Sequence, residues 1–458
     1  MSDDTHVDLI VLGAGAAGMM TALLAARRGM RVMVIDPAFS QPNNLFISGG
    51  LFPAAGSSLQ RAAGVTDSPQ AWLEDLDRFA GDAVNRPLAV AVAQALPKLI
   101  DFLVQECAAP IQFLPDVPAP GHRVARFHAV VPASGRALHA WLRQAIAHEN
   151  NIVCVTDVPL PAPSDSPGGW SLELVSAGAS HQRVTSAHLL LAGGGFGANS
   201  RMVAQHIPQM QGALHSGAAS SDGTCIALGQ RWGTALSGMD GYQGQGHTHP
   251  PGATRLGMSL PMLGAIMVNR AGQRFVREDV GPSALAAHVL AQPGQLALEV
   301  FDAHIEQQVA AQSAYRDALA AGRILPAGSV QELANVTGVA VEALAQTLAQ
   351  CAVYWAGAAD PLGRRNFARV LGAPFRASWV TGALAHTQGG LSTDAQARVL
   401  NASGEVIPRL YAAGGCAAGL SGKGGEAYLP GNGLAQSFGL AWLAVRSICE
   451  INAGDDSA

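Results

Sequence analysis

Val7-Asp-Leu-Ile-Val-Leu-Gly13-Ala-Gly15-Ala-Ala-Gly18 is an apolar run of strand length that breaks into three glycines with GxGxxG spacing. An Ala- and Leu-rich stretch follows and reads as a helix through Arg28, with Gly29 as its stop. Residues 31–35 form the next strand, which ends at Asp36. The segment is therefore a complete βαβ unit. In such a unit the first glycine permits the tight turn and the second lets a diphosphate approach the backbone. The third allows close helix–strand packing, and the helix N-terminus offers N–H groups to the phosphates. Asp36, 18 residues after Gly18, is placed for ribose hydroxyls and disfavours a 2′-phosphate, so NADP is not expected here.

Outward from this unit, 458 residues are too many for one core, so two or more domains are expected. Apolar residues make up 49% and charged residues 13%, and the 53 glycines follow no fixed repeat. That pattern fits an α/β protein with many tight turns. A formal charge of −5 leaves no basic footprint for nucleic acid. The six cysteines have no metal spacing, so reduced thiols and no metal site are expected. The acidic start lacks a signal-peptide n-region, and no run of 18 uninterrupted apolar residues occurs. The expected address is cytoplasmic, with no membrane partner.

Further glycine segments recur along the chain. Residues 43–56 form a Gly-, Asn- and Ser-rich loop containing Ser48-Gly-Gly50, and residues 188–192 form a buried strand running into Gly193-Gly-Gly195. Helical periodicity covers about 68–106, 137–149, 303–321 and 330–352. At 238–251 the composition shifts to Gly, Gln, His and Pro, a plausible domain crossing. Residues 383–390 are read as starting the return to the first domain. Leu410-Tyr-Ala-Ala-Gly414-Gly415 and Gly431-Asn-Gly-Leu434 form a third strand and turn, before a helix over about 433–452. A cofactor touched by both chain ends, with a domain inserted between, fits the extended length of FAD. Its candidate contacts are Gly13, Gly15, Ala16, Ala17, Gly18, Asp36 and Pro37 in the βαβ unit. Asn43, Asn44, Ser48, Gly49, Gly50, Val158, Ala192, Gly193, Gly194 and Asn199 follow from the middle segments. Gly414, Gly415, Gly431, Asn432, Gly433, Leu434 and Ser437 complete the set.

With those segments in view, the chain resembles the fumarate reductase/3-ketosteroid dehydrogenase superfamily of flavoproteins. The resemblance spans nearly the whole chain and adds Ile266-Met-Val-Asn-Arg-Ala-Gly-Gln-Arg-Phe-Val276, His386-Thr-Gln-Gly-Gly390 and Gly404-Glu-Val-Ile-Pro-Arg-Leu-Tyr-Ala-Ala-Gly414. It implies an α/β fold with a Rossmann-like FAD-binding domain built from both chain ends, 1–237 and 371–458. An inserted α+β capping domain, 238–370, would close over the flavin. The implied chemistry is hydride transfer at flavin N5 on a carbon–carbon bond next to a carbonyl or carboxyl group. Relatives with covalent flavin carry a His before the Ser-Gly-Gly loop, and residues 43–47 contain none. Non-covalent FAD is therefore expected.

Three departures bear on the substrate. Where fumarate reductases place a proton-donating Arg, this chain has Pro282, and a relay Arg upstream aligns near Pro261. Where they clamp a carboxylate with Arg, it has Tyr428. The phenol lacks the guanidinium fork; in ketosteroid dehydrogenases a Tyr here, with a backbone N–H, polarises a carbonyl. Tyr428 and His386 are thus candidate catalytic residues, and His247 is a candidate base beside His249, Tyr242 and Gln245. A role in packing, or in supporting a neighbour that meets the substrate, stays open for each. The expectation is an FAD-dependent oxidoreductase, desaturase or ene-reductase, acting α,β to a carbonyl. With no CxxCH haem motif, a separate electron donor or acceptor is expected. The alternatives are a reductase of unsaturated carboxylates using His386, Arg123 or Arg126, or a flavin-binding subunit without its own catalysis.

Overall fold

The computed structural model describes residues 5–81, 84–117, 121–156, 158–175, 181–250, 254–256 and 259–455. Its main strands are β1 (Thr5–Leu12), β2 (Val32–Asp36), β3 (Ile152–Thr156) and β4 (His181–Leu191), then β5 (Tyr242–Thr248), β6 (Ala297–Asp302) and β7 (Phe375–Thr387). The last two are β8 (Arg398–Leu400) and β9 (Val406–Ala412). Four helices position the site: α1 (Ala16–Ala26), α2 (Arg86–Gln105), α3 (Pro282–Leu290) and α4 (Asn432–Asp455).

The first sheet runs β8-β9-β4-β1-β2-β3, with the strand Gly169–Val175 joined to β4. β1 is parallel to both neighbours, in the registers Leu9↔Val32 and Leu12↔Leu191, and β9 joins β4 through Leu410↔Leu189. Parallel strands covered on both faces must be apolar almost throughout. Leu9, Ile10, Leu12, Leu189, Leu190 and Leu191 are accordingly inaccessible to solvent. Helices α1 and α4 pack together against this sheet. β1, β4 and β9 all end in glycine turns at the same edge, where ligands of parallel α/β sheets bind.

β7 is the axis of a second sheet. One part pairs antiparallel with β5 (Gln243↔His386, Thr248↔Thr381) and the other with β6 (Ala297↔Val380, Asp302↔Phe375). Leu214–His215, from ahead of residue 238, lies parallel beside Ala383 and Leu384. Helix α3 crosses β5 closely because Gly244 and Gly246 lack side chains; an added Cβ would sit 2.7 Å from Ala286 or Leu285.

Several expectations change. Residues 383–387 belong to the single strand β7, which begins at Phe375. The expected helix over 303–321 is two, Ala303–Val309 and Ser313–Ala320. That over 330–352 divides at Gly338, whose φ of 73° ends Val330–Thr337 before Val341–Trp355. Helix α2 is long and apolar enough, by length and composition, to cross a membrane. In this fold it is a core helix, burying Leu88, Val92, Leu96, Leu99 and Leu103 and packing against α4.

Candidate active site

At Gly13 φ is +106°, and an added Cβ would lie 2.5 Å from the Ala192 carbonyl oxygen. At Gly18 it would lie 1.9 Å from the Gly13 oxygen, so helix and strand touch backbone to backbone. Gly15 differs. The nearest atom to its Cβ position is 3.9 Å away, and as N-cap of α1 it provides no side-chain cap. The helix thus starts, at Ala16 and Ala17, with N–H groups that no side chain satisfies, behind an open glycine: a diphosphate cradle. Asp36 stands beside it and accepts the amides of Ala14 at 2.6 Å and Ala38, beyond Pro37, at 2.7 Å.

The 43–50 loop is tied to this cradle. Asn43 Nδ2 donates to the Ala14 oxygen at 3.2 Å while Oδ1 accepts from Phe46, and Ser48 Oγ accepts the Gly50 amide at 3.1 Å. Gly49 faces open space, with only Leu51 near its Cβ position, at 3.9 Å. Asn44 accepts from the Ala218 amide at 2.7 Å and donates to Ser221 Oγ at 2.9 Å. Ser221 in turn lies 3.0 Å from the Cβ position of Gly194. Gly193 packs on buried Cys225, and Ala192 continues the β1 ladder through Leu12. From the far end of the chain, a Cβ added at Gly414 (φ +72°) would lie 3.0 Å from the Ala17 methyl, and one at Gly415 2.7 Å from the Gly195 nitrogen. Ser437 Oγ donates to the Gly433 oxygen at 2.7 Å, and Val158 and Leu434 are half-buried against the core. Both chain ends therefore meet at one edge, and the donors there fit FAD: a cradle for diphosphate, Asp36 for ribose and open glycines beyond. Asn199 stands just beyond the Gly193–Gly195 turn. It caps Ser200–His206 through Met202 and donates to the Asp222 oxygen at 2.9 Å.

Next to these turns, Tyr428 and His386 stand edge to face, ring centroids 5.5 Å apart. The Cβ position of Gly433 lies 3.2 Å from His386 Nε2 and 3.8 Å from the Tyr428 hydroxyl. Burial pushes the Tyr428 phenol up to about 12, against the opposing pull of the Gly433 and Gly431 amides. Burial also lowers the pKa of His386, which favours the neutral imidazole, while the Thr387 carbonyl opposes this.

Other expected site residues lie elsewhere or are engaged. His247 Nδ1 sits 2.9 Å from Glu299 Oε2, both side chains buried inside the second sheet, and not with His386 and Tyr428. His249 bonds the Pro250 oxygen at 2.6 Å. Pro282 is the first residue of α3, where its missing N–H costs nothing. Over Pro261 lies buried Arg364, which donates to the Pro261 oxygen at 2.5 Å and to Glu278 at 3.0 Å. Arg126 is fully buried, paired with Asp67 at 2.9 Å and Asp75 at 2.7 Å, and Arg123 bonds Asp75 and Glu74 at 2.6 Å each. Both guanidiniums expected to bind a carboxylate are thus engaged in ion pairs, that of Arg126 buried and that of Arg123 nearly half exposed. Gln388, Ser421 and Ser221, which join these loops, had no assigned role in the sequence. The sole signal was the position of Gln388 two residues beyond His386. Among the described residues, no three His, Cys, Asp or Glu side chains gather to hold a metal ion.

Fold and site together define a flavin-dinucleotide-binding protein. The FAD binding domain family matches residues 8–434, and the chain belongs to that family. A "Fumarate reductase (cytochrome)" of Shewanella frigidimarina is 29% identical over 426 residues, covering 91% of this chain and 73% of that protein. The open conformation of a flavocytochrome c3 fumarate reductase aligns with a TM-score of 0.83 at 24% identity, over 97% of this chain and 78% of that one. A 3-ketosteroid-Δ4-(5α)-dehydrogenase from Rhodococcus jostii RHA1, in complex with 4-androstene-3,17-dione, aligns at 0.76 with 23% identity, covering 97% of each chain. These two structural likenesses are likenesses of fold. The protein is an FAD-dependent oxidoreductase acting on carbon–carbon bonds.

Proposed function

We propose that the protein adds or removes hydrogen across a carbon–carbon bond α,β to a carbonyl, on a ketone-like substrate whose oxygen is held by Tyr428. The observation that carries this reading is the state of the phenol. It is buried, held at about 12 and set beside the Gly433 amide, so at neutral pH it is a hydrogen-bond donor and not a base. When bound, FAD supplies hydride exchange at N5. Tyr428 donates to the carbonyl oxygen and stabilises negative charge developing there, which polarises the adjacent carbon–carbon bond. His386 presents its ring edge to the same place. The flavin is held non-covalently, and a separate donor or acceptor sets the direction of reaction. In this reading the inserted segment, about 238–370, caps the flavin-binding part.

The fumarate reductase relative favours a second reading, reduction of an unsaturated carboxylate. With Arg123 and Arg126 paired internally, that carboxylate would rest on neutral donors, which is weaker recognition than a bidentate guanidinium. Stopped-flow reoxidation of the reduced flavin separates the two. Rapid reoxidation by cyclic 2-enones supports the ketone reading, and a preference for enoates overturns it. Silence toward both classes leaves a flavin-binding subunit without catalysis.

A further inference from the structure

We propose that Gln388 is a positioning residue that sets the tautomer of His386, so that Nε2–H of the imidazole joins the Tyr428 hydroxyl as a second donor to the substrate oxygen. This rests on the reading of Tyr428 given above and extends it to a second donor and the group that aims it.

A directed chain of hydrogen bonds runs beneath the site. Asn432 Nδ2 donates to Ser421 Oγ at 3.3 Å, Ser421 donates to Gln388 Oε1 at 2.7 Å, and Gln388 Nε2 points at His386 Nδ1 from 3.2 Å. All three supporting side chains are buried. A carboxamide has one accepting and one donating end. With the Ser421 hydroxyl occupying the oxygen end, the nitrogen end of Gln388 faces the imidazole. An N–H can only donate, so Nδ1 accepts, and in a neutral ring the proton then sits on Nε2. The Thr387 carbonyl, 3.3 Å from Nδ1, favours the opposite tautomer. The Gln388 contact prevails because its direction is fixed from behind by Ser421.

Nε2 then faces the useful side. Gly433 leaves unfilled a point 3.2 Å from Nε2 and 3.8 Å from the Tyr428 oxygen, within reach of both donors. His386 is part-exposed there. Among the described residues, Tyr428 is the titratable side chain in ring contact with it. β5 places uncharged Gln243 opposite, α4 offers Asn432 and Gly433, and among the described residues no carboxylate, Lys or Arg perturbs the ring. The geometry is that of a neutral two-donor oxyanion site.

The test uses the FAD-loaded protein with 15N-labelled histidine, the His386 signals being assigned by their loss in His386→Gln. The expected result is a protonated Nε2 and an unprotonated Nδ1 in the wild type at neutral pH. In Gln388→Glu the carboxylate accepts from Nδ1–H, so the ring titrates between an imidazolium and a neutral form protonated on Nδ1 alone. This should add an inflection to the pH profile of kcat/KM and lower kcat by about 10²-fold on its alkaline side, where Nε2 carries no proton. Gln388→Met should give mixed tautomers and a lower kcat with little change in KM. A proton found on Nδ1 in the wild type overturns the proposal. So does a tautomer and pH profile unmoved by either substitution. The wild-type spectrum decides even if both variants fail to fold, and it needs no turnover. A failure of the ketone reading therefore remains distinguishable from a failure of this one.

Discussion

His386 and Tyr428 face one another with their ring planes at 75°, yet one is carried by β7 and the other by the loop that leads into α4. Removing the hydroxyl while keeping the ring tests what that meeting is for. Tyr428→Phe preserves the edge-to-face packing and should leave the bound-flavin spectrum unchanged while lowering kcat by about 10²-fold. Turnover within twofold of wild type would remove Tyr428 from the chemistry.

The same phenol has a consequence for stability. Its folded pKa of about 12 lies above the ordinary value near 10. The protonated form therefore favours the native state, and this contribution is whole below pH 10 and is lost as pH rises toward 12. Chemical denaturation across that window should show a steeper decline for the wild type than for Tyr428→Phe. Parallel curves contradict the burial argument.

Gly15 and Gly18 should respond differently to alanine. A Cβ at Gly18 would overlap the Gly13 oxygen at 1.9 Å, so Gly18→Ala should destabilise the apoprotein by about 1–3 kcal/mol or more. At Gly15 the position is open, and Gly15→Ala should keep the apoprotein's Tm while weakening FAD binding. Thermal melts with and without added FAD distinguish the two, and a destabilised Gly15→Ala apoprotein contradicts the cradle.

Asp75 is an acid-sensitive point of the fold. Burial pushes its carboxyl up, but the Arg123 amide and guanidinium, with Arg126, outweigh this and hold it at about 2. Its stabilisation is present above the ordinary carboxylate range and lost as pH falls through about 2. Arg126→Met leaves two buried carboxylates short of a partner and should cost about 3–5 kcal/mol in denaturant unfolding. A loss below about 1 kcal/mol would show that the pairs contribute little.

His247→Gln should lower the Tm through loss of the Glu299 pair but keep kcat within about threefold, since the ring is held inside the second sheet. A hundredfold fall in kcat with unchanged Tm would restore it as a base.

What the sequence conveyed depended on distance along the chain. The βαβ unit was legible because Gly13, Gly15, Gly18 and Asp36 act within one stretch; Gly13 and Gly18 leave no room for a Cβ, and Gly15 stands open between them. β7 was not legible as one strand, because its partners β5, β6 and Leu214–His215 lie far from it along the chain. Its interior Gly382 admits α3, since a Cβ there would lie 2.5 Å from the Ala286 oxygen. The Arg126 pairs with Asp67 and Asp75, and the Asn432–Ser421–Gln388 chain, join segments that no periodicity connects. Arg126 consequently looked free to bind a ligand.

One continuous strand sets the mechanics of this molecule. β7 is laddered to β6 at one end and holds His386 at the other. A ladder resists bending within a strand, so tilting the second sheet drags the imidazole along, while Tyr428 stays with the C-terminal loop. Admission of a reactant by such a tilt would also part the two rings, leaving them aligned only once the cleft has shut.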